Sequence, residues 1–222
     1  MFETLLTGPT GEPITVEELA NFSRFDAPDE TEDALDFAEV SGQIGAAREQ
    51  IERQTSYCYD IQKWQMTLDA FPSIYVGREM NWHFNIPEFV QNGWVFRPDV
   101  IELLRHPVQS IDSFKYTDAN GDEQTVDSGI YDLKNDRIVL KVGKTWPVAA
   151  HVPDSVTIQY TAGYDPEGSP AIPTPQRLIR ALKFLAGWYY DNRMPIGTQP
   201  TAPVQMTLDN LLTGFRSNRM AR

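Results

Sequence analysis

RLIRALKFLAGWYYDNR, residues 177–193, is the stretch on which the reading of this chain turns. Leu178, Leu182, Leu185 and Tyr189 recur at helical spacing and share one face. Phe184 and Trp188 sit well round from them, beside Arg177, and Arg180 and Lys183 fill the remaining arc. A helix that covers one small core needs a single apolar stripe. This one has a surplus, so it is expected to pack on two sides. Thr174 as cap and Pro175 at the first helical position start it, and the spacing predicts a helix over about 175–192.

Beyond it, MPIGTQPTAP (194–203) is a linker with three prolines. VQMTLDNLLTGFRSNRMAR (204–222) then gives a short amphipathic segment. Met206, Leu208, Leu211, Leu212 and Phe215 form its apolar side, and Arg216, Arg219 and Arg222 its basic end. So short a helix does not hold its shape alone in water and must dock on something. Residues 198–222 are therefore expected to be a linker and docking segment attached to a domain of residues 1–197.

Upstream the period changes. IQKWQMTLDAF (61–71) sets Trp64, Met66, Leu68 and Ala70 against polar neighbours, an antiparallel strand with one buried face. Short strands follow to DSVTIQYTAGY (154–164), within a β region of about 61–164. In DANGDE (118–123), Asn120-Gly121 suits a type I′ hairpin turn, and KNDR (134–137) is a second turn. Residues 72–99 are a long insertion holding Trp82 and Trp94. A segment so aromatic is expected to pack on a partner or to act as a lid.

Two helices open the chain. Thr15 caps the first, about 16–24, with Glu18 as capping-box partner and Ile14 stapled to Leu19. The second runs over about 32–56, with Phe37, Val40, Ile44, Ala47, Ile51 and Thr55 as its apolar stripe. Gly42 and Gly45 beside that stripe lower helix propensity, and a close helix–helix approach would offset this. The fold class is α+β: an N-terminal helix pair and a long C-terminal helix packed with a small antiparallel sheet and hairpin region.

The net charge of −12 is uneven: residues 1–60 carry 14 acidic and 3 basic side chains, whereas residues 176–222 carry 2 and 7. The dominant field repels nucleic-acid phosphates, which disfavours a DNA-gripping protein. No apolar run reaches a membrane span, and MFETLLTGPTGEP lacks the basic and apolar regions of a secretory leader, so assembly in a cytoplasm is expected. The single cysteine, Cys58, excludes an internal disulfide and reads as a small buried hydrophobe.

Motifs for chemistry are missing from the sequence. There is no phosphate-binding glycine loop, nucleophile elbow, HExxH or paired CxxC. His83, His106 and His151 lack ligand spacing, and DANGDE fails as a calcium loop because its twelfth position is Gly129. No catalytic, cofactor-binding or metal-binding residue is assigned, and the chain is not expected to be an enzyme. A carboxylate pair brought together in space stays open as a weaker alternative, whether for catalysis or for ligand binding.

Four pieces in this order, and a fifth that closes the chain, resemble the head–tail connector proteins of tailed bacteriophages, also called head-completion adaptors, and the similar adaptors of gene transfer agents. TGEPITVEELANF (10–22) is similar to the family's opening helix. IGAAREQIERQTS (44–56) resembles its second, with Ala46, Ala47, Arg48, Ile51, Glu52 and Thr55 in the A-A-R-x-x-[VI]-E-x-x-T pattern. PVQSIDSFKYTDANGDEQTVDSGIYDL (107–133) looks like the β-hairpin, and VTIQYTAGY with PTPQRLIRALKFLAGWYYDNR like the last strand and main helix. LDNLLTGFR (208–216) matches the closing segment. The resemblance covers nearly the whole chain apart from residues 72–99, where many relatives have a much shorter link.

The resemblance implies a structural virion protein of the neck, assembled in the host cytoplasm, that forms a ring beneath the portal, dodecameric in the mature particle. It would extend the DNA channel and provide a platform for the stopper, the tail terminator or other tail proteins. Genomic DNA would pass the lumen without sequence-specific binding, and no cofactor or membrane is involved. On this reading Phe184, Trp188, Tyr190, Trp82 and Trp94 belong to subunit interfaces. Met206, Leu208, Leu211, Leu212, Phe215, Arg216 and Arg219 would dock on the portal. Asp29, Glu30, Glu32, Asp33 and Asp36 would face the channel, although the outer wall suits them equally. Another neck component, a stopper or tail terminator, is the alternative within virion proteins.

Overall fold

The computed structural model describes residues 2–31, 33–72, 99–150, 152–168, 171–192 and 202–215. In chain order these form β1 (Phe2–Thr7), α1 (Val16–Ser23), α2 (Ala34–Thr55), β2 (Gln62–Leu68), β3 (Val100–Glu102) and β4 (Val108–Thr117). β5 (Glu123–Thr125), β6 (Tyr131–Lys134), β7 (Arg137–Leu140), β8 (Val156–Ala162), α3 (Gln176–Asp191) and α4 (Ala202–Leu212) complete them. The fold is α+β, as the change of hydrophobic period foretells, and the three helices expected from the pattern begin and end within two residues of their expected limits. The elements gather into two compact units, one made of Met1–Thr7 with Lys63–Ala162, the other of Gly8–Gln62 with Gly163–Arg222.

The first unit is built of strands. A five-stranded sheet has the order β1-β2-β8-β4-β5, and a three-stranded sheet the order β3-β7-β6. The alternation in β2 and β8 is the physical reason for the larger sheet. Trp64 and Met66, and likewise Val156, Ile158, Tyr160 and Ala162, are buried, while the residues between them are more accessible. Phe114 of β4 lies edge-on to Tyr131 of β6 at 5.3 Å between ring centroids, and Phe71 and Trp146 stack at 5.4 Å, so aromatic rings fill the space between the two sheets. β1 was not foreseen. FETLLT is too short and too irregular to show period two, and its strand character comes from register against β2, with Phe2 opposite Thr67 and Leu5 opposite Trp64.

The type I′ geometry expected at DANGDE is found instead at KNDR, which was expected only to be a turn. Asn135 and Asp136 have φ of 50° and 61° and join the pair Lys134–Arg137, the two-residue type I′ connection. At DANGDE only Gly121 has positive φ, +91°, and Gly121 N donates to Asp118 O. Asp118 also accepts from the backbone N–H groups of Asn120 and Asp122 with its carboxylate. The turn is thus a three-residue loop with a glycine bulge, held by an aspartate side chain rather than by Asn120 in a left-handed conformation.

The second unit is helical. Thr15 Oγ1 caps α1 by accepting from Glu18 N at 3.1 Å, as expected. Thr174 differs from expectation: its hydroxyl donates to Tyr59 O, and Pro175 itself occupies the capping position of α3. Ile14, Leu19, Val40, Ile44, Ala47, Ile51, Leu178, Leu182 and Leu185 form one core. Gly42 is exposed and a Cβ there would meet nothing, while one at Gly45 would meet only the Glu12 carboxylate. The expected close helix approach at those glycines does not occur; it is found at Gly187 of α3, where a Cβ would lie 2.6 Å from Ser23 Oγ at the end of α1.

α4 belongs to the same unit. Leu208 and Leu212 of α4 are buried in this core, and Leu211 and Phe215 pack against it. Arg177 of α3 donates to Asn210 O at 2.9 Å, and Phe215 meets the Tyr57 ring edge-on. The apolar stripe of α4 therefore finds its cover within its own unit.

Candidate functional site

The residues of the adaptor-like pattern in α2 converge on a buried charge hub. Ala47, Arg48, Ile51, Glu52 and Thr55 all lie on the buried side of the helix. Arg48 donates from Nε and Nη2 to Glu12, at 3.0 and 3.3 Å, and from Nη1 to Glu52 Oε2 at 3.2 Å. Glu52 in turn accepts from Tyr59 N at 2.9 Å and from Gln62 Nε2 at 3.0 Å. The hub thus pins the segment before α1 and the turn after α2 onto one helical turn. Burial alone would depress the guanidinium, but its hydrogen bond to Glu12 and the charges of Glu52, Glu12 and Glu49 outweigh it and raise its pKa. Burial, then the Glu52 charge, pushes the Tyr59 phenol far up, so it stays a neutral donor to Leu178 O at 2.7 Å.

Glu12 is the member that sequence reasoning missed. Nothing in TGEP distinguishes it from the other early acids. Arg48 and Glu52 did carry a signal, since they sit at i and i+4 beside Ala47 and Ile51 on the apolar stripe. Thr55 is a further part of the motif: its hydroxyl donates to Ile51 O and accepts from Tyr57 N. Gly163 closes the strand-to-helix passage. Its φ is +132°, and a Cβ would stand 1.9 Å from Asp60 O.

The surplus of α3 divides in two. Tyr189 and Tyr190 pack on the core, and Tyr190 stacks on Phe25 at 4.0 Å and 13°. Tyr190, expected between subunits, is thus engaged by its own chain. Phe184 and Trp188 are half-buried on the flank away from Tyr190, and the Trp188 ring lies 5.6 Å from that of Tyr189. The neighbouring Lys183 pairs with Glu18 at 2.9 Å. Among the described tail residues expected to dock elsewhere, Leu208 and Leu212 are covered, and Met206 alone is strongly exposed, at 67%. Asp29, Glu30, Asp33 and Asp36 are exposed at and before the start of α2, where its dipole favours negative charge, and Asp29 accepts from Thr31 N and Oγ1. Trp82, Trp94, Glu32, Arg216 and Arg219 lie outside the described residues.

In the sheet unit, Glu3, Trp64, Arg105 and Tyr160 form a second polar cluster. Arg105 Nε donates to Glu3 at 3.0 Å, Tyr160 OH donates to Glu3 at 2.8 Å, and the Arg105 guanidinium lies 4.1 Å over the Trp64 ring. Burial and the adjacent Glu3 charge keep Tyr160 protonated. No group of three or more histidine, cysteine or acidic side chains among the described residues is arranged to hold a metal ion. No helix among them is long and apolar enough to cross a membrane.

No family model matches the sequence, and no curated protein does. Solved structures do match in fold. A chain in the neck of an empty GTA particle, computed with C6 symmetry, is 21% identical with a TM-score of 0.64, covering 98% of this chain and 96% of that one. A chain in the virion of a native gene transfer agent is 21% identical at TM-score 0.63, covering 95% of each. A chain in the neck of a native GTA particle, computed with C12 symmetry, is 19% identical at TM-score 0.62, covering 98% of this chain and 96% of that one.

Proposed function

We propose that this chain is a structural neck protein of a tailed phage or gene transfer agent particle, an adaptor that forms a ring of twelve below the portal. One observation carries the reading: the fold likeness to a chain from a gene transfer agent neck spans 98% of this chain and 96% of the other. On this reading the ring extends the DNA channel and offers the stopper or tail its attachment platform. A ring contact is heterologous and joins two different surfaces of each copy. The half-buried Phe184 and Trp188 supply apolar area on α3 beyond what its own core uses. The exposed acids Asp29, Glu30, Asp33 and Asp36 suit a channel wall along which DNA slides without sticking. With Leu208 and Leu212 covered, portal contact from α4 centres on Met206 and on the arginines that follow it in sequence.

Electron microscopy of the full chain, alone and mixed with portal particles, tests the proposal. Rings of twelve, or rings that form only on the portal, are the expected result. A chain that stays monomeric and ignores the portal overturns it. Trp188→Ala should weaken ring formation more than it lowers the melting temperature, and the reverse outcome would return Trp188 to a packing role alone.

A further inference from the structure

Among the described residues β1 is the outer strand of the five-stranded sheet and pairs on one side only, with β2, so they leave a row of its backbone N–H and C=O groups facing outward. Natural edges are blunted by lysine, proline, β-bulges or inward-pointing charges, and β1 carries a register shift between Leu5 and Thr7 and one inward-pointing charge. FETLLT has neither lysine nor proline. Its only charge, Glu3, is 13% exposed and neutralised by Arg105. Phe2, Leu5 and Leu6 are 76%, 45% and 47% exposed. In a chain of net charge −12, this edge is free of unpaired charge and apolar.

The same unit carries a second surface of that kind. Residues 145–153, TWPVAAHVP, contain no Asp, Glu, Lys or Arg. Thr145–Ala150 runs outside any strand, held by Ala150 N donating to Thr117 O at 2.8 Å and by Trp146 stacked on Phe71. Val148 and Val152 project from this stretch, 78% and 48% exposed. β2 and β8 stand between β1 and β4 in the sheet, so the two surfaces do not overlap and one copy can use both at once.

We propose that the open edge of β1 receives the segment bearing Val148 and Val152 from a second copy of this chain, extending the sheet by one strand across the contact. Like-charged copies repel overall, so a self-contact costs least where charge is absent, and these two surfaces are such places. Strand addition supplies main-chain hydrogen bonds, with apolar side chains covering one another at alternate positions. Because donor and acceptor surfaces differ, the contact is head-to-tail and closes by rotation into a ring. The inference rests on the ring reading above and names one contact within it.

Cysteine pairs in the full chain test it, since the native Cys58 is buried and does not compete. The Leu5→Cys/Val148→Cys double variant should oxidise to a ladder of covalent multimers ending at the ring. A mixture of the two single variants should stop at dimers, and each alone should stay uncrosslinked. Rings visible by electron microscopy without that ladder sink the contact and leave the ring reading intact. Efficient cross-linking of Leu5→Cys with itself shows edge-to-edge β1 pairing instead and also overturns it. Absence of rings with and without portal particles removes both. As a second arm, Leu6→Lys and Val148→Glu should each raise the concentration needed for assembly about tenfold through a charge buried without a partner. Combined, they should restore assembly, while the melting temperature of the monomer stays unchanged.

Discussion

Replacing Arg48 by methionine keeps most of the buried stem and deletes its charge. The side chain is 8% exposed and gives two hydrogen bonds to Glu12 and one to Glu52, whose own side chain is also 8% exposed. Removing one member of a buried ion pair costs about 3–5 kcal/mol, chiefly because the other charge is left without compensation. Two features hold this case near the lower end. Glu52 keeps its donors Tyr59 N and Gln62 Nε2, and Glu12 is 28% exposed and can turn to water. The expected loss is about 3 kcal/mol. For a chain of this size that lowers the melting temperature by about 6–12 °C.

The companion variant decides whether the hub acts as a unit. Arg48→Met with Glu52→Gln leaves no net charge buried at that pair, and the glutamine carbonyl still accepts from Tyr59 N. The double variant should therefore be more stable than Arg48→Met alone, with a coupling of about 1–2 kcal/mol in the cycle. Urea unfolding of all four proteins at pH 7, followed by circular dichroism and tryptophan fluorescence, measures it. The deficit of Arg48→Met should also shrink as pH falls, because a buried carboxylate without its cation prefers the neutral form. If the two substitutions add within about 0.5 kcal/mol and the deficit ignores pH, the hub is not a coupled unit and the argument fails.

Gly163→Ala should cost more than about 4 kcal/mol, since a Cβ would overlap Asp60 O at a backbone angle that alanine avoids. Gly121→Ala, at positive φ in open space, should cost about 1 kcal/mol, and a similar loss for both in thermal melts would refute the clash. Leu212→Ala should lose about 2–5 kcal/mol, and deletion of residues 202–222 should lower the melting temperature; a truncated chain that melts like the full one would make α4 a detachable arm after all. For Asp136, burial alone would raise the carboxyl, but hydrogen bonds from His106 and Val108 N outweigh it and hold the pKa below the usual range. A depressed carboxylate stabilises above its unfolded pKa, and that contribution disappears as pH falls through the lower folded value. Asp136→Asn should thus cost about 1–2 kcal/mol at pH 7 and progressively less as pH falls below the ordinary carboxylate range, as melts along an acid series would reveal.

Helix and strand positions were legible because burial imposes period on sequence, and α2, α3, β2 and β8 are long enough to display it. Details set by a single backbone angle were not. Asn120-Gly121 and Asn135-Asp136 are both good turn residues, and the number of residues between paired strand positions, a tertiary quantity, decides which adopts type I′. Glu12 was invisible for a related reason. Its partner lies 36 residues away, and no local pattern marks an acid that will meet a buried arginine. Gly42 and Gly45 misled because glycine in a helix suggests a close neighbour, whereas the close neighbour meets Gly187.

An apolar face in a sequence states that cover is required and leaves open whose. Three such faces met different ends here. The stripe of α4 was expected to dock on a partner, yet Leu208 and Leu212 are covered within the unit, because α3 and the Tyr57–Tyr164 pair complete the niche. The surplus of α3 is half satisfied: Phe25 takes Tyr190, while Phe184 and Trp188 keep part of their surface open. β1 and the stretch around Val148 find no cover among the described residues, with exposures of about half or more at five apolar side chains. Exposure therefore ranks the faces by how much they depend on a neighbour. If the ring forms, substitutions at Leu6 and Val148 should change assembly without changing folding, those at Leu212 should change folding first, and Trp188 should fall between them.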